Sequence, residues 1–179
     1  MHKAVKAFIR AARAGDVSVP RTLIIQGPAG TLKTQCVTGA VRWFRWMNRQ
    51  PDVTDYVLAE MVRVNSQTQP RGSLAGLFTM SGSFTEAQEA GDAIREMLPP
   101  RALFIDDLGA EPAWCSPRTM ASGLSDLLDA RWVAGKFTCI TTNLTGKEIL
   151  AKYEARLHSR CVIGAQSVIL GGHDRRAIK

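Results

Sequence analysis

A chain of 179 residues is long enough for one well-buried domain and too short for two ordinary ones. Apolar residues make up 45% and charged residues 22%, the balance of a folded globular protein and not of a disordered one. No apolar run approaches the ~20 residues that a bilayer crossing needs. The opening MHKAVKAFIRAARAG lacks the apolar block and cleavage site of a signal peptide, so a cytoplasmic location with no membrane partner is expected.

The formal net charge is +7. The excess clusters at Arg42, Arg45 and Arg49, and again at Arg156, Arg160, Arg175, Arg176 and Lys179, which points to a polyanionic partner, with solubility as the plainer alternative. Cys36, Cys115, Cys139 and Cys161 are widely spaced and form no C-x-x-C pair, so four reduced, mostly buried thiols are expected.

In chain order, Val5, Phe8, Ile9 and Ala12 recur at helical spacing and predict a short amphipathic helix over His2 to Arg13. RTLIIQ, Arg21 to Gln26, reads as a buried strand ending at Gly27. From Lys33 the period is helical, with Cys36, Val37, Ala40, Val41, Phe44 and Met47 on one face. YVLAEMVRV, Tyr56 to Val64, is strand-like, and NSQTQPRGSLAGLFTMSGS reads as a loop or irregular insertion. TEAQEAGDAIREML is helical and stopped by Pro99 and Pro100. ALFIDD, Ala102 to Asp107, is a buried strand ending in carboxylates. Ser116 and Pro117 form an N-cap and first-turn proline, opening a helix through Met120, Leu124, Leu127, Leu128 and Trp132 to near Gly135. FTCITT is a further strand, running into Asn143. A helix follows to about Arg160, and then a last strand, SVIL. Strands alternating with helices imply a parallel sheet covered on both faces, with ligands beyond the strand carboxyl ends.

GPAGTLKT, Gly27 to Thr34, joins a strand to a helix as a phosphate-binding loop does. Successive backbone N–H groups and the helix N-terminus face an anion, Lys33 supplies positive charge, and the Thr34 hydroxyl suits Mg²⁺. Leu32 stands where such loops carry their last glycine; it either accepts strained backbone angles, at ~1–3 kcal/mol, or reshapes the loop. In LFIDDLGAE, Asp106 is expected to hold Mg²⁺ and Asp107 to orient or deprotonate the attacking water. The plainer readings are an ordinary glycine-rich turn and a solvated Asp-Asp turn.

GPAGTLKT, LFIDDLGAE, LLDARWVAGKFTCITTNLT, ARLHSR and GHDRR together resemble the DnaC/IstB family of AAA+ ATPases, in that order and at family spacing, from about Arg21 to Arg176. The resemblance implies an α/β P-loop NTPase: an AAA+ type three-layer sandwich with a parallel five-stranded sheet, its lid domain reduced or absent. It divides the chain into a short N-terminal helix and linker, 1–20, and an ATPase domain, 21–179. ATP and Mg²⁺ are the implied cofactors, with Gly27, Pro28, Ala29, Gly30, Thr31, Leu32, Lys33 and Thr34 around the phosphates. By position, Asn143 takes the sensor-1 place beside Lys33 and Asp107. Arg160 takes the place of an arginine finger acting on a neighbouring subunit, with Arg156 as second choice. Arg176 falls at a sensor-2-like position, where Arg175 could serve instead.

The implied function is an ATPase, slowed by Leu32, that loads a replicative helicase onto single-stranded DNA as an oligomer. The alternatives are a transposase helper of the IstB kind acting on duplex DNA, and an adaptor that binds ATP but barely hydrolyses it. Only about twenty residues precede the first strand, so the family's N-terminal partner-binding domain is expected to be missing or compressed. Arg42, Arg45 and Arg49 at i, i+3 and i+7 beside Trp46 suit phosphate contact with base stacking, or equally a solvated face whose arginine stems cover the indole. Arg71 is a weaker nucleic-acid candidate.

Overall fold

The computed structural model describes residues 2–47, 59–63, 92, 95 and 97–172. Arg49, Arg71, Arg175, Arg176, Lys179, the glycine-serine-rich stretch and most of the helix expected before Pro99 lie outside those residues.

In order, the chain forms α1 (Lys3–Ala14), β1 (Thr22–Gln26), α2 (Lys33–Met47), β2 (Ala59–Arg63), β3 (Ala102–Leu108), α3 (Pro117–Val133), β4 (Phe137–Thr142), α4 (Gly146–His158) and β5 (Gln166–Ile169). The starts of α3 and α4 have local causes. Ser116 Oγ accepts the Thr119 N–H and Pro117 occupies the first turn of α3. Thr145 and Glu148 close a reciprocal capping box at α4. At the far end of α4 the chain continues as a π turn over Ser159–Ile163, closed by the Gly164 N–H on the Ser159 carbonyl.

All four pairings are parallel and the five strands run in the order β2-β3-β4-β1-β5. Alternate residues feed opposite layers, as a period of two requires. Ile24, Leu103, Ile105 and Ile140 face a cluster built with α3 and α4. Leu23, Ile25, Phe104 and Cys139 face another built with α1 and α2. The result is a three-layer sandwich. Helix α1 belongs to that second core: Val5, Phe8, Ile9 and Ala12 are buried, and Phe8 meets Phe137 edge to face at 5.6 Å.

The fully buried Arg131 ties the layers together. Its guanidinium donates to the carbonyls of Met97, Leu98, Pro100 and Phe137 and to Thr138 Oγ1 at 2.5–3.2 Å. Burial holds its pKa down to about 10. Three of the four thiols are buried and none is disulfide-bonded; burial pushes Cys161 up to about 12 and Cys139 higher still.

Candidate functional site

With β4 between β1 and β3, the loop after β1, the carboxylates ending β3 and Asn143 after β4 meet at one edge of the sheet. The loop, Asp107 and Asn143 line a cavity of about 490 Å³, whose walls are Ala29, Gly30, Leu32, Lys33, Thr34, Gln35, Asp107 and Asn143. Gln35 was missed in the sequence, although its place directly after Thr34 in the first turn of α2 could have flagged it.

The loop after β1 is tightly wrapped. Gly30 has φ +77° and Leu32 has φ +62°. Leucine at 32 therefore accepts the left-handed backbone and does not reshape the loop; its carbonyl takes the Cys36 N–H at 2.9 Å and starts α2. Gly27 is required by space, since a Cβ there would collide with the Leu170 carbonyl oxygen. Lys33 is buried and its Nζ donates to the Gly27 and Pro28 carbonyls, each at 2.8 Å. Thr31 Oγ1 donates to the Pro28 carbonyl at 2.8 Å.

At the end of β3 the pairing with β4 shifts: Ile105 lies opposite Ile140, but Leu108 lies opposite Thr142. Two residues, Asp106 and Asp107, thus oppose one, Thr141. This is a β-bulge, a device that re-aims side chains. Asp107 adopts φ +66° in it. Asp106 is buried, and its Oδ1 accepts from Thr34 Oγ1 at 3.2 Å and Thr141 Oγ1 at 2.6 Å. Thr141 Oγ1 in turn accepts the Asp107 N–H at 2.9 Å. Next along β4, Thr142 Oγ1 donates to the Leu108 carbonyl and accepts the Leu144 N–H, joining the turn that bears Asn143 to the bulge.

Glu111 anchors the segment that follows. Its carboxylate accepts from the Gly109 N–H, the Tyr153 hydroxyl and Lys152 Nζ, so α4 is fastened to the loop after the aspartates. The phenol of Tyr153 is pushed well above its usual range by burial and by that carboxylate.

Arg160 is elsewhere. It sits on the π turn, beside a second cavity of about 360 Å³ shared with Thr22, Leu128, Asp129, Trp132, Ser159 and Gly164. Thr22 begins β1 whereas the loop Gly27 to Thr34 follows its end, a strand length of roughly 13 Å away. Arg160 grips Asp129 through both carboxylate oxygens, at 2.5 and 2.7 Å, and that contact holds the Asp129 carboxyl below the ordinary range. Arg156 bonds Asp126 at 2.6 Å. Arg42, Arg45 and Trp46 are exposed along α2, the indole at 69%.

Thr34 and Asp106 offer a hydroxyl and a carboxylate 3.2 Å apart. Hard oxygen donors of this kind fit Mg²⁺ held jointly with nucleotide phosphates. The wrapped loop, with its lysine and helix N-terminus, fits the phosphates themselves. Among the described residues, no cluster of three or more His, Cys, Asp or Glu side chains suggests a metal held by protein alone.

The three-layer α/β fold is the one seen in the solved structures of DnaI, the DnaC helicase loader and DnaA. Among solved structures, the chain is similar to DnaI, with a TM-score of 0.69 and 19% identity over 97% of this chain and 83% of that one. It is similar also to the DnaC helicase loader, with a TM-score of 0.65 and 13% identity over 94% and 88%. A third likeness is to the replication initiator DnaA bound to AMPPCP and single-stranded DNA, at TM-score 0.67 and 12% identity over 96% of this chain and 46% of that one. At these identities the likeness is one of fold. No family model matches the sequence, and neither does any curated protein. Among the described residues, no helix is long and apolar enough to cross a membrane.

Proposed function

We propose that the chain is an ATP-dependent helicase loader, an AAA+ ATPase whose 21–179 segment forms the catalytic domain, with 1–20 as a helix and linker. The observation that carries this reading is the contact between Asp106 and Thr34, which lines the cavity with Lys33, Asp107 and Asn143. The backbone of Gly27 to Thr34 cradles the phosphates. Lys33 exchanges its carbonyl partners for phosphate oxygens, gaining charge-assisted bonds. Thr34 and Asp106 would hold Mg²⁺, which would supply positive charge beside the phosphates. Asp107 orients the attacking water and accepts its proton, while Asn143 fixes the water and the terminal phosphate.

Arg160 acts on the nucleotide of a neighbouring subunit. Its distance from its own loop supports this role, and leaving Asp129 is part of assembly. A sensor-2-like role falls by sequence position to Arg176, which lies outside the described residues. Single-stranded DNA meets the basic faces, with Arg42, Arg45, Arg49 and Arg71 as contacts. The likeness to a helicase loader and to DnaA bound to single-stranded DNA supports these partners over a transposase and duplex DNA.

The test is titration with a fluorescent ATP analogue, followed by capture of the replicative helicase with and without ATP. Saturable binding that needs Lys33, and ATP-dependent helicase capture, are expected. Nucleotide binding that is indifferent to Lys33→Ala overturns the site. ATP binding with capture of a transposase in place of the helicase overturns the partner.

A further inference from the structure

The polar groups of the bulge converge on one buried side chain outside the set assigned above. Thr141 is 0% exposed in a strand whose residues are all buried, so its hydroxyl has no water to satisfy it. A threonine hydroxyl donates one hydrogen bond and accepts two. Thr141 spends its donor on Asp106 Oδ1 and accepts from the Asp107 N–H. The bulge takes that N–H out of regular ladder register, so a β4 side chain serves it in place of a β4 carbonyl. Asp106 is also reached by Thr34, so the hydroxyl of Thr141 and that of the loop flank the same carboxylate oxygen.

We propose that Thr141 is the positioning residue of the carboxylate pair: it aims the Asp106 side chain at Thr34 and pins Asp107 in its left-handed backbone, without touching nucleotide. The proposal rests on the nucleotide-site reading. Asp106 carries two tasks, metal and loop, and its second oxygen stays available for metal because Thr34 and Thr141 share the first. Replacing the hydroxyl with a methyl of the same shape leaves the apolar packing and removes both bonds. Asp107 can then relax from φ +66°, a conformation that costs a non-glycine residue energy. The consequence falls on metal and water, not on the phosphate loop, whose lysine and backbone contacts are untouched.

The experiment compares wild type with Thr141→Val, Thr141→Ala and Thr141→Ser in the full chain. The first readout is binding of a fluorescent ATP analogue at increasing Mn²⁺ or Mg²⁺; the second is turnover; thermal unfolding monitors the fold. Thr141→Val and Thr141→Ala should bind the analogue without metal as wild type does, while their metal half-saturation rises about tenfold and turnover falls by at least that factor. Thr141→Ser keeps the hydroxyl and should restore both. Wild-type metal dependence in Thr141→Val, or Thr141→Ser as impaired as Thr141→Val, overturns the proposal while leaving the nucleotide site standing. Unfolding of both hydroxyl-free variants shows a role in folding and overturns it too. A wild-type chain that binds no ATP analogue overturns the nucleotide-site reading and this one with it.

Discussion

Thr34 Oγ1 donates to Asp106 Oδ1 at 3.2 Å, joining the first turn of α2 to the end of β3 across 72 positions of sequence. Neither residue is near the other in the chain, yet Thr34 lines the cavity and Asp106 is buried behind it. Thr34→Val keeps the shape of the side chain and removes the hydroxyl. Metal-dependent affinity for an ATP analogue should fall about tenfold while metal-free binding holds. Titration with and without Mg²⁺ checks this, and an equal loss in both conditions would place Thr34 in phosphate binding alone.

Asp107 lines the cavity and Asp106 is buried behind it, so their roles separate. Asp107→Asn should keep ATP binding and reduce turnover by ~10²-fold or more, because the amide cannot accept the proton of the attacking water. Steady-state phosphate release beside equilibrium binding reads the two quantities, and retained turnover removes Asp107 from the catalytic set.

Leu32 sits at φ +62° within the folded loop, so replacing it is expected to register in the stability of the fold. Glycine relieves ~1–2 kcal/mol of left-handed strain and gives back ~0.5–1 kcal/mol in unfolded-state entropy. Leu32→Gly should therefore stabilise the chain by about 0.5–1 kcal/mol, a rise of roughly 1–4 °C in Tm, with ATP affinity changed less than tenfold. Calorimetry beside a binding titration decides between this and a leucine that costs affinity; an unchanged Tm with a large gain in affinity contradicts it.

The Arg160–Asp129 contact occupies the proposed finger within one subunit. Turnover per subunit should rise with protein concentration as neighbouring nucleotide displaces Asp129. Arg160→Ala should bind ATP and lose most turnover, a factor on the order of 10³ for such cations. Mixing it with Lys33→Ala, each inactive alone, should return part of the activity, because some interfaces pair an intact loop with an intact arginine. If mixed assemblies form and stay inactive at every ratio, Arg160 belongs to the Asp129 pair as a structural cation.

The strands, the helices and most of the cavity were legible because their signals are local. Apolar runs of four to six residues bounded by glycine or proline mark β1, β3 and β4, and Ser116–Pro117 marks the start of α3 through bonds to residues three places away. The wrapped turn from Gly27 to Thr34 was legible for the same reason, since its shape is a matter of consecutive backbone angles. A left-handed residue at 32 was foreseeable from the missing glycine, though not whether the loop would take it or change shape.

What only the tertiary structure decided are the features that depend on register and on which charges lose their water. Nothing in IDDLG announces a bulge; it exists because β4 offers Thr141 opposite two residues of β3. Thr141 reads in sequence as an ordinary β-branched strand former, and its one hint was a hydroxyl in a run buried throughout. Arg131 counted as one more basic residue, although it follows Leu124, Leu127 and Leu128 on the apolar face of α3; burial among carbonyls made it a clamp. Arg160 was expected free for a neighbour and is found paired with Asp129, 31 positions earlier, because α3 lies beside the π turn. Local order follows from hydrogen bonds and side-chain periods a few residues long, so the sequence displays it. Partner choice among buried polar groups follows from packing between distant segments, where each unpaired donor or acceptor is costly and only the assembled layers determine which partner is in reach.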